Sequence, residues 1–491
     1  MRALRQQDKE LMFNLLIDSS MRNYITLILA IASIALSAQS TIQFRQIYGT
    51  NGTEFGYSVK SCPDQGYILA GSTSSSNVTD GYLVRVDSFG LVMWSKTYGW
   101  ENIDVIRSIR ILPDSGYIMA GFTNSKGNGA YDGWLMRTNK NGDTLWNSFF
   151  GGTDWDLFYD VYQTYDSGFV LTGGTWSFGN GAEDLWVVKT DKNGQLLWSK
   201  TYGGTKQDQG RGVIETRDSL IAVAGFSYSQ SDTLGDSWIL RMDQNGDTLW
   251  TKSIPAFSNV QDEARGICQV YADLVVCGIN KTTGGVNNGY AYAMDFSGAY
   301  RYDLAFGNAT TNLETNAVIE SKQGGLALTG KTSLVDQNGD FHFFQAANWF
   351  ATNYGTLEPD EAFSIDNTQD SGYVMLGFTE GHNSFLPNMY LIKVDKYGAA
   401  INVLDIREQE MTGNMSIFPN PANEVLMVRS DNESTFSALL IDMNGKQIQS
   451  ANTTSSALSM EVVTLPNGLY LLQLINEDGL LIGTKKVLIQ H

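Results

Sequence analysis

Cysteine, histidine and proline are scarce, with three, three and eight copies in 491 residues. Three cysteines cannot staple a chain of this length, so a disulfide scaffold is excluded. Cys268 and Cys277 stand where a hairpin would let them face each other. A single bridge therefore stays open beside the simpler reading of two small buried residues. His342, His382 and His491 form no pair with ligand spacing. No nucleophile elbow, P-loop or zincin motif occurs. Charge is sparse as well, at 17 % of the chain, and sums to −19. Phosphate binding needs a concentrated basic stretch, and without one a nucleic-acid partner is excluded.

Long hydrophobic runs are missing except at the start. "MRNYITLILAIASIALSAQS" (21–40) has a basic residue, an apolar stretch and then small residues, the layout of a secretory signal peptide. It is short for a membrane span. Translation is expected to start at Met21 and cleavage to follow Ala38. A signal anchor with a short cytoplasmic tail is the alternative. No cysteine follows the cleavage region, which argues against a lipid anchor, and no transmembrane segment is expected in the mature chain.

Glycine, with 50 copies, and aromatics, at 12 %, are abundant and regularly placed. An apolar run ends in Gly71, Gly121, Gly173, Gly225, Gly278, Gly330 and Gly377, at intervals of 47 to 53 residues. An aromatic-rich run follows each, such as "WLMRT" from 134 and "WILRMD" from 238. Next comes an aromatic four residues before a second apolar residue: Phe44/Tyr48, Trp94/Tyr98, Trp146/Phe150, Trp198/Tyr202, Trp250/Ile254, Tyr302/Phe306 and Phe350/Tyr354. Each unit holds four strand-length pieces joined by hairpin signals such as "PDSG" and "NKNGD". Such self-similarity predicts an all-β chain, a seven-bladed β-propeller of four-stranded antiparallel blades with a repeat of about 50 residues. "IQFRQIYG" (42–49) matches a fourth strand and would close the ring; "AAINVLDI" (399–406) competes for that place.

The domains expected are an N-terminal extension plus signal peptide (1–38), the propeller (39–406), a linker (407–414) and a small immunoglobulin-like β-sandwich (415–491). The hairpin "TDKNGQLLWSKTYGG" resembles the tryptophan-docking repeat of quinoprotein-like propellers, with a shorter Asp-to-Gly spacing, and to a lesser degree the sialidase-type Asp box. These resemblances imply a propeller, with the repeated Trp as a wedge between blades. "SIFPNPANEVLMV", "LLIDMNGKQI", "LPNGLYLLQL" and "GTKKVLIQH" closely resemble the type A sorting domain of the bacterial type IX secretion system. The motif falls on Pro419, Asn420, Pro421, Gly445, Lys446, Gly468, Tyr470, Lys485 and Lys486. The resemblance implies export through the periplasm and across the outer membrane, with the secretion machinery as partner. The product is then released or attached to the outer cell surface.

Functional residues are sought on the longer loops, "SSSNVTD", "NSKGNGAYD", "WSFGNGAED" and "SYSQSDTLGD", which share one end of the propeller. Asp80, Asp132, Asp184, Asp236 and Asp340 recur just before the third strand and read either as loop caps or as an acidic ring. Trp100, Trp155 and Trp176 lie outside the repeated positions and read as ligand-stacking rings or as local packing. No cofactor is expected. Calcium is compatible with the acidic loops, but "DQNGD" and "NKNGD" have glycine at the fourth position and no closing glutamate, so no motif calls for it. The expected function is an exported surface or secreted binding or adhesion protein that takes polysaccharide or a surface protein as ligand. The alternatives are a propeller hydrolase or lyase that uses loop carboxylates on glycans, and a spacer with no small ligand.

Overall fold

The structure is a computed structural model that describes residues 43–49, 52–75, 78–230, 234–254, 261–281, 286–307, 311–334, 339–356, 358–381, 386–400, 415–430, 436–442, 447–453, 456–476 and 481–491. The expected signal peptide, the expected linker and most of the competing closing stretch lie outside them. So does His382.

Every regular element among the described residues is a strand. The repeat folds into sheets of four antiparallel strands that resemble propeller blades. In chain order these sheets cover 53–98, 104–150, 156–202, 208–254, 261–306, 311–354 and 360–394. The last takes Phe44–Tyr48 as its fourth strand, paired with Asn388–Val394 from Phe44↔Lys393 to Tyr48↔Met389. The N-terminal strand thus fills the place the sequence left open.

Alternation buries one residue in two on each face of the inner strands, and each pair of neighbouring sheets shares an apolar cluster. Phe158 and Trp186 of the third sheet stack at 4.6 Å and pack in one cluster with Leu112, Ile118 and Leu135 of the second. Val59 and Leu69 of the first sheet meet Val374 and Leu376 of the seventh, which closes the ring. Each such aliphatic side chain contributes roughly 1.5–3 kcal/mol.

The outermost strands add a second belt. Trp94, Trp146 and Trp198 each lie over the glycine of the next sheet's Asn-Gly turn: Gly142, Gly194 and Gly246. These glycines have φ near +75 to +78°, where a side chain is strained, and a Cβ would also press on the indole. Tyr98 Oη donates to Gly142 O at 2.7 Å and Tyr202 Oη to Gly246 O at 2.6 Å. Tyr48 Oη donates to Gly90 O at 2.8 Å, so the N-terminal strand docks on the first sheet as the other outer strands dock on theirs.

Five sheets bury a cation of the third strand against the aspartate of the first hairpin turn. The pairs are Arg85–Asp64, Arg137–Asp114, Lys189–Asp166, Arg241–Asp218 and Lys393–Asp370.

The C-terminal residues form a three-stranded sheet (Met415–Phe418, Val425–Ser430, Ala457–Glu461) and a four-stranded one (Gln447–Thr453, Phe436–Asp442, Gly468–Asn476, Leu481–Ile489). Leu426, Phe436, Leu440, Leu472 and Val487 are buried in their shared core.

Candidate functional site

The innermost strands build the site. In each repeat sheet the first strand slips register by one residue opposite the recurrent glycine, for example between Gly56↔Gly71 and Ser58↔Ala70. Six other innermost strands do the same. A β-bulge leaves one residue unpaired and re-aims its side chain. The seven bulged residues are Tyr57, Arg107, Tyr159, Arg211, Arg265, Asn316 and Phe363, and all of them line a central cavity of about 520 Å³. The recurrent glycine makes the bulge fit. A Cβ on Gly71, Gly121, Gly173, Gly225, Gly278, Gly330 or Gly377 would overlap a carbonyl oxygen of the bulged strand.

From Tyr57 to Arg211 tyrosine alternates with arginine around the ring. The Arg107 guanidinium lies 4.0 Å from the Tyr57 ring centre and 5.6 Å from that of Tyr159. The Arg211 guanidinium lies 4.4 Å from the same Tyr159 ring. Phe363 packs on Tyr57 at 5.6 Å. Arg265 instead pairs with Glu314 at 2.6 Å and bonds Asn316 Oδ1 at 2.6 Å. Further along the channel Arg110 pairs with Asp160 at 2.8 Å, and Lys60 sits 3.7 Å from Asp366. Among the described residues Arg107 and Arg211 have no ion pair. Burial pushes the Arg211 guanidinium below its ordinary range; Tyr159 and Glu263 oppose that shift, and the positive charges of Arg107 and Arg265 add to it.

The loop-face aspartates sit elsewhere and are engaged. Asp132 Oδ2 accepts the amides of Asn128 (3.0 Å) and Gly129 (2.9 Å), and Asp184 Oδ2 those of Asn180 (2.9 Å) and Gly181 (3.1 Å). Each faces an aspartate that opens the next sheet across a glycine: Asp80/Asp104 at Gly99, Asp132/Asp156 at Gly151, Asp184/Asp208 at Gly203 and Asp340/Asp360 at Gly355. Asp236 stands at the same place in the fourth sheet. Asp132 and Asp184 cap loops, and the four pairs leave no room for a side chain at the glycine between them. Burial raises Asp80, Asp132, Asp184 and Asp340.

Burial, with the Asp340 charge adding to it, pushes Asp360 up to about 6. A carboxyl raised in the folded state binds more protons there than in the unfolded chain. Stability therefore falls as pH rises from about 4 through 6, by about 3 kcal/mol for this group. Asp360→Asn is expected to unfold at a higher urea midpoint than wild type at pH 7.5 and at a similar one at pH 4. Parallel curves for the two proteins would remove Asp360 from the account. Asp166, Asp218 and Asp370, held below the ordinary range, are common to both proteins and cancel.

The tryptophans divide into two places. Trp100 packs at 5.6 Å on Trp134 and on Phe149, with the Lys126 ammonium over it. Trp155, 47 % exposed, meets Tyr131 edge-on at 5.0 Å and Trp176 at 6.0 Å. Only the latter two are neighbours.

Sequence reasoning passed over the channel ring. Its residues lie 14 positions before the recurrent glycine, 13 in the fifth sheet, so a bulky side chain at that offset was the available signal. Cys62, Cys268 and Cys277 are free thiols, and burial pushes Cys277 up to about 12. Among the described residues no group of three or more His, Cys, Asp or Glu is placed to hold a metal, and no helix is long and apolar enough to cross a membrane.

In the C-terminal part, Pro419 and Pro421 follow the first short strand rather than preceding it. Asn420 between them ties the turn to the last strand: its Nδ2 donates to Lys486 O at 2.9 Å and its Oδ1 accepts Leu488 N–H at 2.8 Å. Tyr470 Oη donates to Pro466 O at 2.9 Å. Gly468 opens the strand that pairs with the last one, and Lys485 and Lys486 face Leu472 and Leu471 across that pairing. Gly445 and Lys446 lie outside the described residues.

No curated protein matches the chain. Solved structures that are similar include the WD40 β-propeller domain of Doa1, at 10 % identity and TM-score 0.45, covering 70 % of this chain and 96 % of that one. PorZ, an essential surface component of the type IX secretion system of Porphyromonas gingivalis, is similar at 9 % identity and TM-score 0.41, over 90 % of this chain and 60 % of that one. A fungal alcohol oxidase in complex with copper is similar at 12 % identity and TM-score 0.44, over 91 % and 98 %. Residues 416–490 match the family of secretion system C-terminal sorting domains. The C-terminal part is therefore a type IX sorting domain, which marks the chain for export to the outer surface or the medium and for contact with the secretion machinery.

Proposed function

We propose that the chain is an exported surface or secreted binding protein. In this reading a seven-bladed β-propeller holds a ligand in its central channel, and an immunoglobulin-like sandwich acts as the secretion address. The carrying observation is the bulge ring, where Arg107 and Arg211 stand among aromatic rings without an acidic partner. Half-burying cations with no acid in ion-pair contact costs stability, so their presence in a solvent-reaching cavity favours a ligand that supplies the charge. The hydrolase or lyase alternative draws on the loop carboxylates, which already cap backbone amides. Calcium is not required by this reading. The exposed Trp155–Trp176 edge supports a secondary contact surface for a polymer or a partner protein.

The test is a glycan array probed with the purified exported protein, with and without calcium. Expected is saturable binding that is indifferent to calcium and falls at least tenfold in Tyr159→Ala. Binding lost in the double variant Trp155→Ala/Trp176→Ala and kept in Tyr159→Ala would move the site to the loop face.

A further inference from the structure

We infer that the channel takes a carboxylate-bearing sugar, with Arg107 and Arg211 receiving the carboxylate and Tyr57, Tyr159 and Phe363 receiving the flat face of the ring; this rests on the binding reading above. The cavity, about 520 Å³, is of the size that encloses a small ligand. Its cations differ in availability. Lys60, Arg110 and Arg265 each have an acid within 4 Å, whereas Arg107 and Arg211 have none among the described residues; rings lie against both, and the charges of Glu183 and Glu263 reach Arg211 only from further off. A guanidinium stacked on a ring keeps its N–H donors in its own plane, free for a fork-shaped contact with a carboxylate. Both groups lean on Tyr159, and a carboxylate beside that ring would offset the repulsion from Arg107 and Arg265 that now bears on Arg211.

Charge alone does not account for the lining. Three of the seven bulged side chains are aromatic, and a pyranose presents a C–H face suited to such rings. A bare inorganic anion would leave those rings against water. The rest of the molecule narrows the choice further. At a net charge of −19 the outer surface repels a long polyanion. A single acidic sugar, or the acidic end of a short chain, reaches the channel without lying along that surface.

The experiment is calorimetric titration of the purified exported protein with galacturonate and trigalacturonate, maltotriose as the neutral sugar, and citrate and sulfate as anions without a sugar ring. Expected is binding of the acidic sugars, weakened tenfold or more in Arg211→Gln and in Tyr159→Ala, with little heat from the other probes. Arg107→Lys keeps the charge and loses the fork, so it should fall between wild type and Arg211→Gln; thermal unfolding of each variant reports whether it is folded. The monomer and trimer together separate a free uronate from a chain end. Citrate or sulfate binding as tightly as the acidic sugars would overturn the sugar, and maltotriose binding equally well in Arg211→Gln would overturn the carboxylate. Silence towards the acids while another glycan on the array binds would overturn this inference alone. Silence everywhere would take the binding reading with it.

Discussion

Gly225→Ala is expected to destabilise the protein by about 3 kcal/mol or more and to weaken ligand binding beyond what lost stability explains. The methyl group would be set into the carbonyl oxygen of Gln209, which is backbone and cannot rotate away. Relief requires the first two strands of the fourth sheet to part where Gly210↔Gly225 gives way to Gly212↔Ala224. Arg211 is the residue left over at that slip, so any reseating of the bulge moves a guanidinium of the channel ring. Gly266→Ala is the control. It adds a methyl group 3.1 Å from Cys277 Sγ and 3.3 Å from Asn316 O and Ala317 Cα, which calls for shifts of only a few tenths of an ångström, and should cost about 1 kcal/mol. Urea midpoints measure the first effect and calorimetric titration the second. A Gly225→Ala protein with an unchanged midpoint would mean that the bulge tolerates a side chain there, and the link from glycine to channel would be lost.

That link also explains which parts of the molecule were legible beforehand. The recurrent glycines stand out in the sequence because backbone contact forbids any other residue there. The residues they oppose do not, because Tyr57, Arg107, Tyr159, Arg211, Arg265, Asn316 and Phe363 share a position and no chemistry. The bulge also breaks the period of two by which a strand's faces are read, so the inward side chain falls out of phase. The outer tryptophans were readable as wedges because each follows a hairpin-turn glycine at a fixed distance. The loop aspartates, expected just before the third strands, are the first residues of those strands at Asp132, Asp184, Asp236 and Asp340 and the third at Asp80, but the partners Asp104, Asp156, Asp208 and Asp360 open the following sheet. A pairing between separate sheets has no local pattern, so an acidic ring and a set of caps looked alike. The hairpin-turn aspartates hid their role for the same reason, since their cations lie 21 to 23 residues further on.

Asp370→Asn should lower stability by about 3–5 kcal/mol at pH 7, the range for removing one partner of a buried ion pair. The Lys393 side chain is 1 % exposed, and its Nζ donates to Asp370 Oδ2 and to Val394 O, both at 2.9 Å. Burial alone would raise the Asp370 carboxyl, yet the Lys393 ammonium, with hydrogen bonds from Lys393, Thr368 and Gly372, holds it below the ordinary range. Burial already pulls Lys393 down despite that anion. With asparagine in its place the ammonium keeps a dipole and loses the charge. Its proton is then held less tightly in the folded state than in the unfolded chain, so the unfolded state binds more protons over that window and stability rises with pH. The deficit of Asp370→Asn should accordingly shrink between pH 7 and pH 9.5. A companion variant, Asp370→Asn with Lys393→Met, should recover most of the loss, because the matched position is Ala293 in the fifth sheet and Gln345 in the sixth and both are buried there without a charge. Chemical denaturation of the three proteins at both pH values decides the matter. If the single variant matches wild type, or the double variant is worse than the single, the pair is not what holds the turn to the third strand.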